Sequence, residues 1–345
     1  MGHRTGVRSG ADDGGDLTNW PGSPHEATRF LLGQLAGCDP VEDFPHQSER
    51  PSHGEDAPTL LPPDVLEGDF FRAIHVADPK SARTPSGFAG FLDGTQDVRV
   101  VNQSHGIPIV WATVSAAVRA RVNRRLVSWN GHAPIVSRRY YMPFRYLDGL
   151  DPELRAHPLV VDTAREDASG NVPSRHPAAL MEAAIQKVQQ DREAIEIQLA
   201  ESWCSSEQGT LYVDGSITGS RIVSQSTCAV GVVKSHRRLY ADGDAFRTLV
   251  ALRAGERSSI FRVSPRSRYA VASWYVRIRN ATGRDALFGL VRVEAAIGDD
   301  DLSERVDEIS RWIIRESSPL ALPDGRWDKM AYGIRHTEEF LRAIS

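Results

Sequence analysis

Two segments far apart in the chain carry the same pattern, in which an apolar run is followed by aspartate, glycine and a hydroxyl residue. The first is Gly90-Phe-Leu-Asp93-Gly-Thr and the second is Leu211-Tyr-Val-Asp214-Gly-Ser. Each aspartate stands where a buried strand is expected to emerge, and the glycine permits a sharp turn. A single Asp-Gly pair commonly only makes a turn, but repetition of the whole pattern favours a further purpose. If the two strands are parallel neighbours, both carboxylates lie at one sheet edge, where they can hold a divalent cation.

The segment before the second aspartate predicts an amphipathic helix from about residue 177 to residue 203. Measured from the axis of its apolar stripe at 100° per residue, Glu196 lies at about 60°, Glu193 at about 120° and Glu201 further away. Glu196 is therefore the glutamate at the border of core and solvent that can reach the sheet edge. A solvated helix glutamate is the alternative, and the choice between Glu196 and Glu193 stays open. The stripe itself consists of Met181, Ile185, Val188, Ile195 and Leu199.

The composition is that of an ordinary globular protein, with 41% hydrophobic and 25% charged residues in a chain of 345. Three cysteines at wide spacing exclude the paired CxxC motifs of a structural zinc site. The chain lacks an apolar run of about 18 residues and an apolar leader after Met1, so we expect a cytoplasmic protein without a membrane segment. The formal net charge is −4, but residues 1–72 contribute −8 and the rest of the chain is basic.

The pattern along the chain predicts an acidic, Gly/Pro-rich and largely disordered arm over residues 1–60, followed by one domain over residues 61–345. Within the arm, residues 28–35 form a short apolar patch that suits a docking helix. Residues 115–178 mix a helical start with arginine-rich stretches. Strands and helices alternate in an order typical of an α/β or mixed α+β domain. The predicted strands are 88–92, 98–101, 107–114, 210–214, 229–233, 270–279 and 287–296, the first three as an antiparallel meander, and a further helix is predicted over 302–315.

Near the C-terminus, Met330-Ala-Tyr-Gly-Ile-Arg-His336 predicts the start of a terminal helix with His336 in its first turn. A lone histidine is more often structural than catalytic. Taken in order, the Asp93 and Asp214 motifs, the helix carrying Arg192-Glu-Ala-Ile-Glu196, and this closing motif resemble the NurA nuclease domain. Gly231-Val-Val-Lys234-Ser, Ser273-Trp-Tyr-Val-Arg277-Ile-Arg and Gly289-Leu-Val-Arg-Val-Glu294 also match that succession.

The resemblance spans about residues 87–345, with residues 115–178 as a poorly aligned insertion. It implies a ribonuclease-H-like mixed sheet flanked by helices and a two-metal site for Mn²⁺ or Mg²⁺. Asp93, Glu196, Asp214 and His336 would occupy the catalytic and metal-ligand positions, with Asp93 bridging the two ions and His336 positioning water or moving a proton. The terminal motif departs from the family by having Gly-Ile-Arg before the histidine.

NurA-like proteins act on DNA ends, which implies a single-strand endonuclease, a 5′-3′ exonuclease, or both. The expected partners are a second copy of the chain and a hexameric HerA-type ATPase, in DNA repair or anti-phage defence. The chain contains no GxxxxGK[ST] loop, so an ATP-driven motor must be a separate protein.

Four basic residues are candidates for contacts with the DNA backbone. Arg192 falls inside the apolar stripe of its helix, which requires either a carboxylate partner or a phosphate. Lys234 follows a predicted strand, where it contacts phosphate or simply faces water. Arg277 and Arg292 alternate with apolar residues on predicted strands, so they form either a basic face for DNA or ordinary solvent-facing positions.

Two other readings stay open at this point. A NurA-like scaffold can bind the ATPase without cutting DNA, because fold similarity does not guarantee activity. The same acids can also serve another ribonuclease-H-like nuclease or strand transferase with a different substrate.

Overall fold

The computed structural model describes residues 39–40, 58–76, 86–129, 133–166, 170–206, 208–298, 301–317 and 329–344. The helices are α1 (Pro152–Ala156), α2 (Pro177–Cys204), α3 (Arg221–Gln225), α4 (Gly243–Ala251), α5 (Leu302–Glu316) and α6 (Tyr332–Arg342). The strands are β1 (Asp39–Pro40), β2 (Thr59–Leu60), β3 (Asp64–Val65), β4 (Ala73–His75), β5 (Phe88–Ser104), β6 (Ile107–Val122), β7 (Arg125–Ser128), β8 (Ile135–Met142), β9 (Val160–Asp162), β10 (Thr210–Asp214), β11 (Ala229–Val233), β12 (Arg238–Leu239), β13 (Glu256–Ser258), β14 (Phe261–Val263), β15 (Val271–Arg277) and β16 (Leu290–Ala295).

Fourteen of these strands form one mixed sheet, whose main path is β3-β14-β15-β16-β11-β10-β5-β6-β8-β9. At its centre, β5 runs parallel to β10 and β10 runs parallel to β11. Strand β6 is antiparallel to its neighbours β5 and β8. An antiparallel meander, a long helix and two parallel strands therefore follow one another, and the predicted mixed α+β sheet flanked by helices is confirmed.

The meander differs from the prediction because its first two predicted strands form one continuous strand. Residues 88–104 form a single 17-residue strand that runs straight through Asp93-Gly94, where the sequence pattern predicted a turn. The neighbouring β6 is also long, and residues 107–120 along it are buried. Its alanine-rich second half, predicted as a helical start, pairs with β5 on one side and with β7 on the other. Burial of both faces overrides the helix propensity of alanine here.

Helices cover both faces of β5, and two glycines allow them to come close. A Cβ at Gly90 would lie 2.6 Å from the indole of Trp203 on α2. On the opposite face, Gly333 of α6 lies directly against the ring of Phe91. Residues 90 and 91 point to opposite faces because side chains alternate along a strand. Helix α2 therefore packs on one side of the sheet, and helix α6 packs on the other.

The described part of residues 115–178, expected as a poorly aligned insertion, contributes to the central sheet. It supplies the second half of β6 together with β7, β8 and β9. Most of the predicted 1–60 arm, including its docking helix at 28–35, lies outside the described residues. Two short pieces of it are described: β1 pairs with β5, and β2 pairs with β12. In the described part of the chain, no helix has the length and apolar character to cross a membrane.

Candidate functional site

Asp93 and Asp214 are neighbours across two parallel strands. The register pairs Tyr212 with Phe91 and then Val213 with Leu92, so the next pair along is Asp214 with Asp93. The Phe91 and Tyr212 rings lie 5.8 Å apart on the α6 side of the sheet, and alternation places both aspartates on that same side. The predicted parallel pairing of the two motifs is therefore confirmed.

The two Asp-Gly pairs differ in backbone role. Asp214 ends β10, and Gly215 follows with φ of 139°, so this second pair turns the chain as predicted. Asp93 lies inside β5, and its carboxylate Oδ1 accepts a hydrogen bond of 2.8 Å from the Gly94 amide. The prediction of a turn at Gly94 is wrong, and the ladder hydrogen bonds of β5 hold Asp93 on a rigid element.

Asp93 is buried, with 8% of its surface exposed. Burial raises the pKa of its carboxyl well above the ordinary value, and the negative charges of Asp214, Glu196 and Glu338 raise it further. The ammonium of Lys234 opposes this by lowering the same pKa. Three acids and one lysine therefore act on the buried Asp93 carboxyl group, and the acids outweigh the lysine.

Lys234, predicted to contact phosphate, lies at the end of β11 and pairs with Asp214. Its Nζ donates a hydrogen bond of 2.7 Å to Asp214 Oδ2, and both side chains are largely buried. The charge of Lys234 therefore partly neutralises the pair of aspartates in this structure.

Glu196 approaches the same region from the α2 side. A Cβ at residue 94 would overlap the Glu196 carboxylate, so Gly94 is the residue that admits it to the strand. Arg192 Nη1 donates to Glu196 Oε1 at 3.1 Å and to the Gly94 carbonyl at 3.3 Å. Burial and the charges of Asp214 and Glu193 raise the pKa of Glu196 to about 7, although Arg192 lowers it. The cost of placing Arg192 in the apolar stripe is thus offset by a carboxylate, one of the two predicted outcomes.

The competing glutamate, Glu193, points elsewhere. Its carboxylate accepts a hydrogen bond from Gln189 and faces Arg268 across 3.5 Å. Glu201 accepts a hydrogen bond from Ser220. Of these three glutamates, Glu196 is the one packed against the Asp93 strand, as the helical geometry predicted.

His336 has a different position from the one its predicted role requires. It is exposed on α6, while Ile334, Thr337 and Leu341 form the buried face of that helix. At 100° per residue, His336 lies about 200° around the helix from Glu338, and Glu338 is the α6 residue whose charge acts on Asp93. Its placement therefore gives no support to a role for His336. Sequence reasoning overlooked Glu338, although its spacing from Ile334 and Leu341 signals the inward face.

Arg277 and Arg292 do not form the predicted DNA-facing surface. Arg277 is completely buried, and its guanidinium donates to the backbone carbonyls of Leu252, Phe288, Leu249, Val250 and Ala286. Arg292 is 8% exposed and donates to Glu294 Oε1 at 2.6 Å. Both arginines hold the fold together from inside, so this part of the prediction is wrong.

A buried carboxylate fixes the loop that follows Asp214. Glu294 on β16 has no exposed surface, and its Oε2 accepts hydrogen bonds from Ser216 Oγ at 2.8 Å and from the Ile217 amide at 2.9 Å. The same loop crosses β11 at Gly231, where a Cβ would lie 2.7 Å from the Gly215 carbonyl oxygen. Glu294 and Gly231 together determine where residues 215–220 lie relative to Asp214.

A cavity of about 130 Å³ opens between this loop and helix α2. Its walls include Glu196 and Asp214, so it adjoins the acidic cluster, and Arg192 and Arg268 also line it. Among the described residues, no three His, Cys, Asp or Glu side chains are placed to hold a metal ion as they stand. The acids approach from two faces of β5, and Asp214 and Glu196 are paired with Lys234 and Arg192.

Comparison with models of known protein families finds none that matches this chain. Comparison with curated protein sequences also finds no match.

Proposed function

We propose that this protein is a metal-dependent DNA nuclease of the NurA type that hydrolyses phosphodiester bonds at the Asp93–Asp214 pair. The observation that carries the proposal is the register of β5 and β10, which sets two aspartates side by side on one face. The order of motifs along the chain supports the same conclusion.

The donor set fits Mn²⁺ or Mg²⁺, because both ions prefer carboxylate oxygens. Burial and neighbouring acids raise the pKa of Asp93, and the pKa of Glu196 is raised to about 7. Both shifts mean that negative charge is costly here, so a divalent cation stabilises the ionised acids. Asp93 and Asp214 would hold it, and Glu196, which lies on the α2 face of β5, would add its negative charge from there. Lys234 and Arg192 would exchange their present carboxylate partners for substrate.

A divalent cation at such a site offsets the charge of the phosphate and lowers the pKa of a bound water. The protein's own side chains would position the substrate and the carboxylates. Rigid attachment of Asp93 to β5 keeps its carboxylate in place, and the loop after Asp214 borders the substrate. Once freed from Asp214, Lys234 can donate to a phosphate oxygen. Glu338, which pairs with Arg342, is the α6 acid whose charge acts on Asp93, so it is a better candidate than His336 for positioning water.

The cellular setting follows from the resemblance alone. A HerA-type ATPase would supply the motor, the nuclease would act as a homodimer in the cytoplasm, and single-stranded DNA or duplex ends would be its substrates. Repair and defence against foreign DNA remain equally compatible with this chemistry.

The test is cleavage of labelled linear and single-stranded DNA with Mn²⁺, with Mg²⁺ and with chelator. We expect metal-dependent cutting by the natural sequence, and losses of a hundredfold or more in Asp93→Asn and Asp214→Asn. Asp97 is a half-buried acid on the same strand that pairs with Arg99, and Asp97→Asn serves as the matched control and should cut normally. Near-normal cutting by either site variant would remove that aspartate from the mechanism.

The second candidate is a non-cutting scaffold that binds the ATPase. The ion pairs of Lys234 with Asp214 and of Arg192 with Glu196 favour it, because they neutralise the acids without a metal. Calorimetry separates the two readings: the nuclease binds Mn²⁺ and loses this binding in Asp93→Asn, whereas the scaffold shows no Mn²⁺ binding and no cutting.

A further inference from the structure

The cavity between α2 and the loop after Asp214 is a formed space with two unlike parts. Its opposing walls are apolar, with Ile197 and Ala200 on the helix and Val213 and Ile217 on the strand and loop. Its remaining lining includes Ser216 and Ser220, the arginines Arg192 and Arg268, and the acids Glu193, Glu196 and Asp214. A ligand that enters it therefore has an apolar part between the walls, and any anionic group on it must lie against the arginines and away from the three acids.

The volume limits what that body can be. Pockets for drug-sized ligands measure about 300–1,000 Å³, and this cavity measures about 130 Å³. One planar ring system matches this size, whereas a base pair does not. Enzymes that act on single nucleotides hold an unstacked base between apolar side chains in pockets of this kind.

The position of the cavity connects it to the acids. Glu196 and Asp214 belong both to its lining and to the acidic cluster. A base seated in the cavity therefore places its backbone phosphate next to residues that border the candidate site, among them the cavity-lining Arg192 and Arg268.

We propose that this cavity, lined by α2 and residues 213–223, receives one unpaired nucleobase of the DNA strand. The inference rests on the proposed nuclease function and adds how its substrate is held: the base that enters the cavity must be unpaired. Sequence specificity is not expected, because the walls offer apolar contact on both sides and every base has an apolar face.

The test measures binding without cutting, by fluorescence anisotropy in the presence of chelator. Two single-stranded oligonucleotides of equal length are compared, one with normal bases and one with abasic sites, so that their phosphates are the same. The apolar walls remove one base from water, which leads us to expect about fivefold tighter binding of the normal strand. Equal affinities would overturn the proposal.

A variant that fills the cavity makes the test specific. The Cβ of a residue at position 219 would lie 3.0 Å from Ile197 Cδ1, so Gly219→Leu closes the space between loop and helix. This variant should bind the normal strand no more tightly than the abasic strand, while its affinity for the abasic strand stays unchanged. Gln198→Leu, at an exposed helix position outside the lining, should keep the preference, and circular dichroism checks that both variants are folded. A preference that survives in folded Gly219→Leu would place base contacts elsewhere and refute the assignment.

The two proposals fail differently. A protein that cuts normal and abasic strands equally, with equal binding, keeps the nuclease function and loses the base pocket. A protein with base-dependent binding but no metal-dependent cutting keeps the pocket and loses the nuclease function. Tighter binding of a free deoxynucleoside monophosphate than of the strand would make the cavity a nucleotide site and contradict the proposal.

Discussion

Glu294 provides the sharpest test of how the fold supports the candidate site. The change Glu294→Gln preserves shape but replaces one carboxylate oxygen with an NH₂ group. In one orientation this group faces the Ile217 amide, and in the other it faces Arg292 Nη1. Either way, one donor meets another donor in a fully buried place, and the charge of Arg292 loses its partner.

The magnitude follows from burial. Removing one partner of a buried ion pair costs about 3–5 kcal/mol, because the remaining charge is left uncompensated. We expect a loss of about 3 kcal/mol in the free energy of unfolding for Glu294→Gln, since glutamine keeps one acceptor, and about 5 kcal/mol for Glu294→Ala. The double variant Arg292→Leu/Glu294→Leu removes both charges and should recover at least half of this loss. It should still cut DNA poorly, because Ser216 and Ile217 are no longer anchored.

The assay is guanidinium denaturation followed by tryptophan fluorescence, with Mn²⁺-dependent cleavage measured on the folded protein. Glu339→Gln serves as the control, because Glu339 pairs with Arg335 on the surface with 60% of its side chain exposed. Such a pair is worth well under about 1 kcal/mol. If Glu294→Gln is within about 0.5 kcal/mol of the natural sequence, the buried pair does not anchor the loop as argued.

Four further outcomes follow from single features of the structure. Arg277→Lys should destabilise the fold by about 2–3 kcal/mol, because lysine cannot satisfy the carbonyls that Arg277 reaches; weaker DNA binding at unchanged stability would instead restore Arg277 to the DNA surface. The pKa of Glu196 is about 7, so Mn²⁺ affinity measured by calorimetry should weaken as the pH falls below about 7, and Glu196→Gln should flatten this dependence. In metal-free protein the raised pKa of Glu196 makes the free energy of unfolding change with pH in the opposite direction. The contribution of Glu196 to stability is complete below its unfolded-state pKa and is lost as the pH rises through about 7. A free energy of unfolding that does not change with pH would contradict this prediction. Gly94→Ala should displace Glu196 and lower cleavage at least tenfold, whereas Gly298→Ala, with open space around it, should be neutral in the same assay.

The elements that the sequence predicted well are those with strong periodicity. The long helix α2 differs from its predicted bounds by one residue, and β10 and β11 agree with theirs. These elements were predictable because apolar spacing reports directly on which face of an element is buried. The parallel pairing of the two aspartate motifs was a condition of the sequence argument, and the structure meets it.

Other features were hidden because they depend on distant parts of the chain. Asp93-Gly94 has the local chemistry of a turn, and only its pairing with β6 and β10 keeps it extended. Arg277 alternates with apolar residues as a solvent-facing residue does, and the carbonyls that surround it come from sequence positions 9–28 residues away. His336 was selected by motif order, whereas the helical spacing within its own segment points to Glu338.

The close fit between Gly94 and the Glu196 carboxylate links two positions a hundred residues apart into one evolutionary constraint. As long as the glutamate is required in its present position, selection favours glycine at position 94, because any Cβ there displaces the end of the Glu196 side chain. A descendant that had lost its chemistry would be released from that restriction and could accumulate alanine or serine there. Glycine at 94 together with glutamate at 196 is therefore a readable mark, in any related chain, of a site that selection still maintains.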